Sequence, residues 1–271
     1  RVTNKKGDVN FMELRGKVVV ITGGANGIGE TLAKDLALEG MKVSIGDLSE
    51  EHIERVVREI REAGGTAIGT LCNVTDEKHV ADLMDRTVKE FGEINVVFPS
   101  AGIIKDSLLA STDKETGKVK RTMSLDAFKQ VVDVNLTGTF LTIREATERM
   151  INGGFQGILF TVSSVNRAGV AGQINYSSTK AAVDIMPKVI CSEFHRRNIK
   201  GIRCVCIAPG FVATPMVKGM NQKALDAILK DVPIGRLIEP SEIADTVKFC
   251  IKNEAIHGIT IDVNGGLRHG N

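Results

Sequence analysis

A chain of 271 residues, 42% of them hydrophobic, carries enough apolar side chain for one large α/β domain or two small ones. Lys and Arg number 35 against 33 Asp and Glu, and an excess of 35 − 33 = 2 charges is too small to mark nucleic acid or an anionic membrane as partner. No run approaches the ~18 apolar residues of a membrane span and no signal-peptide pattern is visible, so the expectation is a cytoplasmic protein that acts on a small molecule.

Residues 1–12 are polar and without period, and read as a flexible lead-in to a single domain over 13–271. Val18-Val-Val-Ile21 is a β-branched run ending at glycines, and the apolar pattern from Ile28 to Leu38 predicts a helix that stops at Gly40. The unit then recurs. Lys42 to Asp47 reads as extended, Glu50 to Ala63 as helix, Thr66 to Leu71 as extended, Asp76 to Phe91 as helix and Ile94 to Phe98 as a fourth strand. The polar stretch from Ile104 to Ser124, with Asp113-Lys-Glu-Thr-Gly117, predicts an exposed loop or small hairpin at the carboxyl edge of the sheet, where it could cap a pocket.

The second half predicts a long helix over Leu125 to Ile151, a strand over Gly157 to Ser163, a helix over Asn175 to Arg197 and a strand over Ile202 to Ile207. Small helices around Pro215 to Lys230, a helix over Ser241 to Ile251 and a last strand over Gly258 to Val263 complete the chain. Pro187 sits inside one of these helices and removes a backbone bond to Val183, which predicts a kink or a local distortion. Strands alternating with helices imply right-handed crossovers and a parallel sheet covered on both faces, a doubly wound α/β fold.

Cys72, Cys191, Cys204, Cys206 and Cys250 are an odd, widely spaced set without Cys-x-x-Cys, which predicts reduced, mostly buried thiols rather than disulfides or a zinc knuckle. His52, His79, His195, His257 and His269 lack ligand spacing, so no metal site is expected.

Two constellations carry chemistry. Gly23, Gly27 and Gly29 follow the first strand, where a missing Cβ lets backbone approach a pyrophosphate and the next helix directs its N-terminus at the anion. Asp47 ends the second strand, the place for a carboxylate that accepts hydrogen bonds from an adenosine ribose. With Leu48 beside it and a neutral Asn26 in the turn, there is no guanidinium for a 2′-phosphate, so NAD is expected over NADP. Tyr176 and Lys180 stand four apart on one helical face, so the ammonium could favour the ionised phenol and make Tyr176 an acid and base near neutrality. Ser163 lies thirteen residues before Tyr176 (176 − 163), with Ser164 as a competing choice.

These residues resemble the short-chain dehydrogenase/reductase family from about Leu14 to Leu267. Thr22 to Gly29 matches its Thr-Gly-x-x-x-Gly-x-Gly turn, with Asn26 and Ile28 inside it, and Tyr176 to Lys180 matches Tyr-x-x-x-Lys. The resemblance implies a single Rossmann domain with Ser163, Tyr176, Lys180 and Asn135 as catalytic residues, Asn135 as the holder of a proton-relaying water, and Lys180 as a second contact to the nicotinamide ribose. A structural role for Asn135 is the competing reading. The resemblance further places Pro209, Gly210, Val212 and Thr214 on the nicotinamide and Asn73, Val74, Ser100, Ala101 and Gly102 along the cofactor. Asn73-Val74 stands where the family has Asp-Val, and Pro99-Ser100-Ala101-Gly102 where it has Asn-Asn-Ala-Gly, so side-chain roles there differ. It also implies a homotetramer.

The activity expected is hydride transfer between NAD(H) and a secondary alcohol or ketone. A 3-oxoacyl-carrier-protein reductase using NADPH is the alternative, which needs a basic docking surface; Arg144, Arg149 and Arg167 are candidates for it, or else solvated charges. A dinucleotide-sensing protein without turnover is a further alternative, which the Ser163, Tyr176 and Lys180 set opposes.

Overall fold

A computed structural model of the chain describes residues 12–219 and 221–267. Apart from Met12, the expected lead-in lies outside the described residues, as does His269. Strand β1 (Val18–Thr22) is buried on both faces, as a central parallel strand must be. Around it lie β2 (Lys42–Asp47), β3 (Thr66–Leu71), β4 (Val96–Pro99), and, later in the chain, β7 (Gly157–Val162), β8 (Ile202–Pro209) and β9 (Thr260–Val263). A short antiparallel pair, β5 (Ala110–Thr112) and β6 (Val119–Thr122), stands apart from them.

The seven main strands form one parallel sheet in the order β3-β2-β1-β4-β7-β8-β9. The chain winds outward from β1 to β3, then crosses to β4 and winds the other way, which opens a crevice at the carboxyl ends of β1 and β4. Alternation along β1 divides the core. Val19 and Ile21 join the cluster under α1 (Gly27–Leu38), α2 (Glu50–Glu62) and α9 (Pro240–Lys252), whereas Val20 faces the cluster under α3 (Glu77–Phe91) and α5 (Gly138–Gly153).

The expected long helix over Leu125 to Ile151 is interrupted. It consists of α4 (Leu125–Val132), one π-helical stretch over Asp133–Thr137, and α5. Apolar period alone does not register this widening of the turn, which is common at functional sites. The segment holds Asn135, fully buried, against Ile103: its Oδ1 accepts from the Ile103 N–H at 2.8 Å and its Nδ2 donates to the Ile103 carbonyl at 2.9 Å.

Helix α6 (Ile174–Arg196) continues through Pro187, which is buried. The ring removes the N–H that would bond the Val183 carbonyl. Thr161 on β7 replaces it, donating Oγ1 to Val183 at 3.1 Å. Beyond β8 come α7 (Pro215–Lys218) and α8 (Gln222–Asp231). The polar stretch after β4 is the hairpin of β5 and β6, every residue of β6 being exposed. No helix among the described residues is long and apolar enough to cross a membrane, and none of their His, Cys, Asp and Glu side chains group in threes to hold a metal ion.

Candidate active site

The glycine turn is shaped by contact as well as conformation. Gly23 has φ +66°, and a Cβ there would fall 2.6 Å from the Ala101 nitrogen, so a side chain would push Ser100-Ala101 away. A Cβ on Gly29 would meet the Gly23 carbonyl oxygen at 2.2 Å, so only glycine lets α1 begin so close beneath the turn. Helices α2, α3 and α4 start with Ser49, Asp76 and Ser124, whose side chains accept main-chain N–H groups. Helix α1 starts with Asn26, whose side chain makes no such bond. The first N–H groups of α1, from Gly27, Ile28 and Gly29, have no intrahelical acceptor and suit an anionic group. This cradle fits the pyrophosphate of a dinucleotide.

Asp47 ends β2 beside this turn. One oxygen accepts from the Ala25 N–H at 3.0 Å and the other from the Leu48 N–H at 2.7 Å, so the carboxylate is fixed in place. The guanidinium at this turn is engaged elsewhere: Arg55 bonds both oxygens of Glu30, at 2.8 and 2.7 Å, and reaches the Ala25 carbonyl at 3.2 Å. That pair holds the Glu30 carboxyl down at about 2. Leu48 is exposed.

The other residues expected along the cofactor make the following contacts. Ser100 donates its N–H to the Thr22 carbonyl at 2.8 Å, which joins the ends of β1 and β4. Asn73 turns its Oδ1 to Thr75, and Val74 is buried against Gly138. After Pro209, Gly210 passes so close to Asn264 that a Cβ would lie 2.8 Å from its Cα. Val212 bridges Ile238, and Thr214 lies across the glycine turn, 3.4 Å from where a Cβ on Gly27 would be.

The end of strand β7 and helix α6 carry the residues expected to be catalytic. Lys180 is buried, donates Nζ to the Val162 carbonyl at 2.8 Å, and sits 5.5 Å from the centre of the Tyr176 ring. Burial lowers its amine to about 8. Gly102 lies beside it, since a Cβ there would be 4.0 Å from Nζ and 3.4 Å from Asn135 Oδ1.

One expectation about this centre needs correction. The phenol of Tyr176 is not depressed: burial raises it, a hydrogen bond with Ser164 opposes that, and the nearby Asp106 carboxylate adds to it. Lys180 directs its charge at Val162 rather than at the hydroxyl. Ser163, expected as the catalytic serine, is bonded to helix α6. Its Oγ donates to the Lys180 carbonyl at 2.7 Å, in a position 2% exposed. Thr161 and Ser163 share one face of the strand by alternation, and both reach carbonyls of α6. Ser164 falls on the other face, and it is Ser164 that meets Tyr176.

The side-chain amide of Asn135 is engaged with Ile103, next to Gly102. Three polar side chains not singled out in the sequence complete the wall. Asn166 Nδ2 donates to Gln173 Oε1 at 2.9 Å, and Gln173 Nε2 donates to Asp106 at 2.9 Å, beside Tyr176. Gln173 and Asn166 flank the serine and tyrosine in sequence, which was the available signal.

A dinucleotide cradle and a buried hydroxyl pair at one sheet end are the geometry of a nicotinamide-dependent oxidoreductase. The sequence profile described as short chain dehydrogenase matches residues 17–225. Over 258 residues the chain is 34% identical to a 3-oxoacyl-(acyl-carrier-protein) reductase of Thermotoga maritima, covering 94% of this chain and 99% of that protein. It is 36% identical over 255 residues to a 2,5-dichloro-2,5-cyclohexadiene-1,4-diol dehydrogenase of Sphingobium indicum, covering 93% and 96%. A 3-oxoacyl-(acyl-carrier-protein) reductase of Synechocystis sp. is 34% identical over 258 residues, covering 94% and 98%. Site geometry and sequence agree, and the chain belongs to the short chain dehydrogenase family.

Proposed function

We propose that the protein interconverts a 3-oxoacyl thioester and its 3-hydroxy form with NAD(H), using Tyr176 as acid and base and Ser164 as the donor that holds the reacting oxygen. The observation that carries the reading is the Tyr176 and Ser164 hydroxyl pair beside Lys180 and Gly102, at the sheet end where the glycine turn opens. Similarity to 3-oxoacyl reductases over nearly the full length supports the thioester. Asp47, with Arg55 tied to Glu30, supports NAD(H).

When bound, the nicotinamide supplies the hydride that adds to the carbonyl carbon. Tyr176 gives its proton to the carbonyl oxygen, and Ser164 donates a hydrogen bond that strengthens as charge gathers there. Lys180, turned from Val162, would hold the nicotinamide ribose, and its charge would then ease loss of the phenol proton. Gly23, Asn26, Gly27, Ile28 and Gly29 would hold the pyrophosphate, Asp47 and Leu48 the adenosine ribose, and Asn73 and Val74 the adenine. Ser100, Ala101 and Gly102 would line the cofactor, with Pro209, Gly210, Val212 and Thr214 against the carboxamide. Exposed Ile185, Val189, Phe249 and Ile259 leave apolar surface for self-association, in keeping with a homotetramer.

Similarity to the diol dehydrogenase favours a second reading, oxidation of a cyclic diol. The deciding experiment follows absorbance of the reduced nicotinamide with acetoacetyl-pantetheine and NADH or NADPH, and with cyclohexene diols and NAD. Turnover of the thioester with NADH is expected; turnover of the diol alone would replace the thioester reading.

A further inference from the structure

The arginines that a docking surface would need are already neutralised. Arg144 pairs with Glu77 and with Glu145 at 2.6 Å, Arg149 with Asp85 at 2.9 Å and with Glu145, and Arg167 with Asp262 at 2.9 Å and Asp184 at 3.2 Å. Positive charge is free at another place. The hairpin of β5 and β6 carries Lys118, Lys120 and Arg121 on or beside an exposed strand, and among the described residues none of these three side chains makes an ion pair. Of the hairpin's two carboxylates, Asp113 is turned inward, its Oδ1 accepting the N–H groups of Glu115 and Thr116 at 3.1 and 2.9 Å, and Glu115 is exposed at the turn beside Lys114, so cations outnumber carboxylates there. Leu109 and Val119 add apolar surface, 66% and 63% exposed. Solvated lysines alone would be ordinary; unpaired cations interleaved with exposed aliphatic side chains are the make-up of a docking face for an acidic partner.

Its position links this face to the chemistry. The segment leading into the hairpin is stitched to the residues just before Tyr176: the Ser107 N–H donates to the Gly172 carbonyl at 2.8 Å, Gln173 donates to Asp106 at 2.9 Å, and Asn175 donates to the Lys105 carbonyl at 2.9 Å. The Met123 N–H closes the hairpin on Leu109 at 3.2 Å. The hairpin therefore follows directly on a segment that is tied to the residues just before Tyr176.

We infer that the hairpin over Ala110–Thr122 is the docking surface for an acidic carrier protein that presents the oxoacyl group on a flexible arm, with Lys118, Lys120 and Arg121 meeting its carboxylates. The inference rests on the thioester reading above and adds where the carrier binds. Charges at the rim of such an interface act chiefly on encounter rate and salt dependence.

The test compares two substrates carrying the same acetoacetyl group, one on the phosphopantetheine arm of an acyl-carrier protein and one on free pantetheine. In the variant K118E/K120E/R121E, kcat/KM for the carrier-borne substrate should fall by about tenfold or more, and its decline with added salt should flatten. With acetoacetyl-pantetheine the same variant should stay within about twofold of wild type, which also shows that the fold and the catalytic centre are intact. Equal kcat/KM of variant and wild type on the carrier-borne substrate would overturn the hairpin as the docking surface while leaving the thioester reading in place. Absence of wild-type turnover on acetoacetyl-pantetheine would remove the thioester reading, and the docking surface with it.

Discussion

The Ser163 hydroxyl donates to the main-chain carbonyl of Lys180 at 2.7 Å, so this serine fastens the end of strand β7 to helix α6. Ser164, which bonds Tyr176, is the serine proposed to hold the reacting oxygen. Ser164→Ala should lower kcat by about 10²–10³-fold, the cost of losing one donor to a developing oxyanion. Ser163→Ala should leave kcat within a few-fold and lower stability by about 1 kcal/mol, the ordinary worth of one hydrogen bond. Steady-state kinetics and urea unfolding of both variants decide the matter; the reverse pattern would restore Ser163.

Tyr176→Phe removes the proton donor and keeps the ring that packs beside Lys180. Turnover should drop by at least about 10²–10⁴-fold, while NADH binding, read by fluorescence titration, stays close to wild type. Appreciable residual turnover would mean that another group moves the proton.

Asp47 and the Arg55–Glu30 pair together set the coenzyme expectation. Wild type should show a kcat/KM ratio of about tenfold or more in favour of NADH over NADPH, and Asp47→Ala with Leu48→Arg should narrow or invert it by supplying a guanidinium for the extra phosphate. A wild-type preference for NADPH would defeat this assignment.

Thr161 and Pro187 form a compensating pair. Removing the hydroxyl in Thr161→Val leaves the buried Val183 carbonyl without the donor that Pro187 cannot supply, which should cost about 1–3 kcal/mol. In the background of Pro187→Ala a main-chain N–H becomes available, and the same substitution should cost less. A double-mutant cycle by chemical denaturation measures the coupling; strictly additive effects would show that the two residues do not share this carbonyl.

Lys180 also gives stability a pH dependence. Burial lowers its amine from 10.5 to about 8, so across that window the unfolded chain holds a proton that the folded chain has released. The protein binds more protons unfolded than folded there, and this group makes the fold more stable as pH rises. The buried thiols of Cys72 and Cys250, raised from 9.0 to about 12 and about 11, work in the opposite direction above about pH 9. Comparing wild type with Lys180→Met isolates the amine: relative to the variant, cofactor-free wild type should gain stability between about pH 8 and 10. A constant difference between the two proteins would exclude this titration.

Much of this architecture was readable from residue patterns. Valine-rich β1, the glycines after it and the regular return of amphipathic helices define a doubly wound sheet, because each pattern has one low-energy way to bury itself. The turn from strand to site is harder to read. Ser163 and Ser164 are adjacent and chemically identical, and spacing to Tyr176 favoured the former; the partner carbonyls of Thr161 and Ser163 on α6, which leave Ser164 on the other side of the alternation, are visible only in the fold. The widened turn around Asn135 left no trace in apolar period, since its cause is a tertiary contact with Ile103. The state of the Tyr176 phenol was beyond the i, i+4 rule, which places Lys180 near the ring but does not say where its ammonium points.

The π-helical stretch sets local regularity against use. Shortening Asp133–Thr137 by one residue would let α4 and α5 merge into a straighter rod with ordinary i→i−4 bonding, yet it would rotate Asn135 off Ile103 and loosen the floor beside Gly102. Selection for a sturdier helix and selection for a working pocket therefore pull on this insertion in opposite directions, and a deletion recovered in a screen for heat tolerance would be expected to cost turnover.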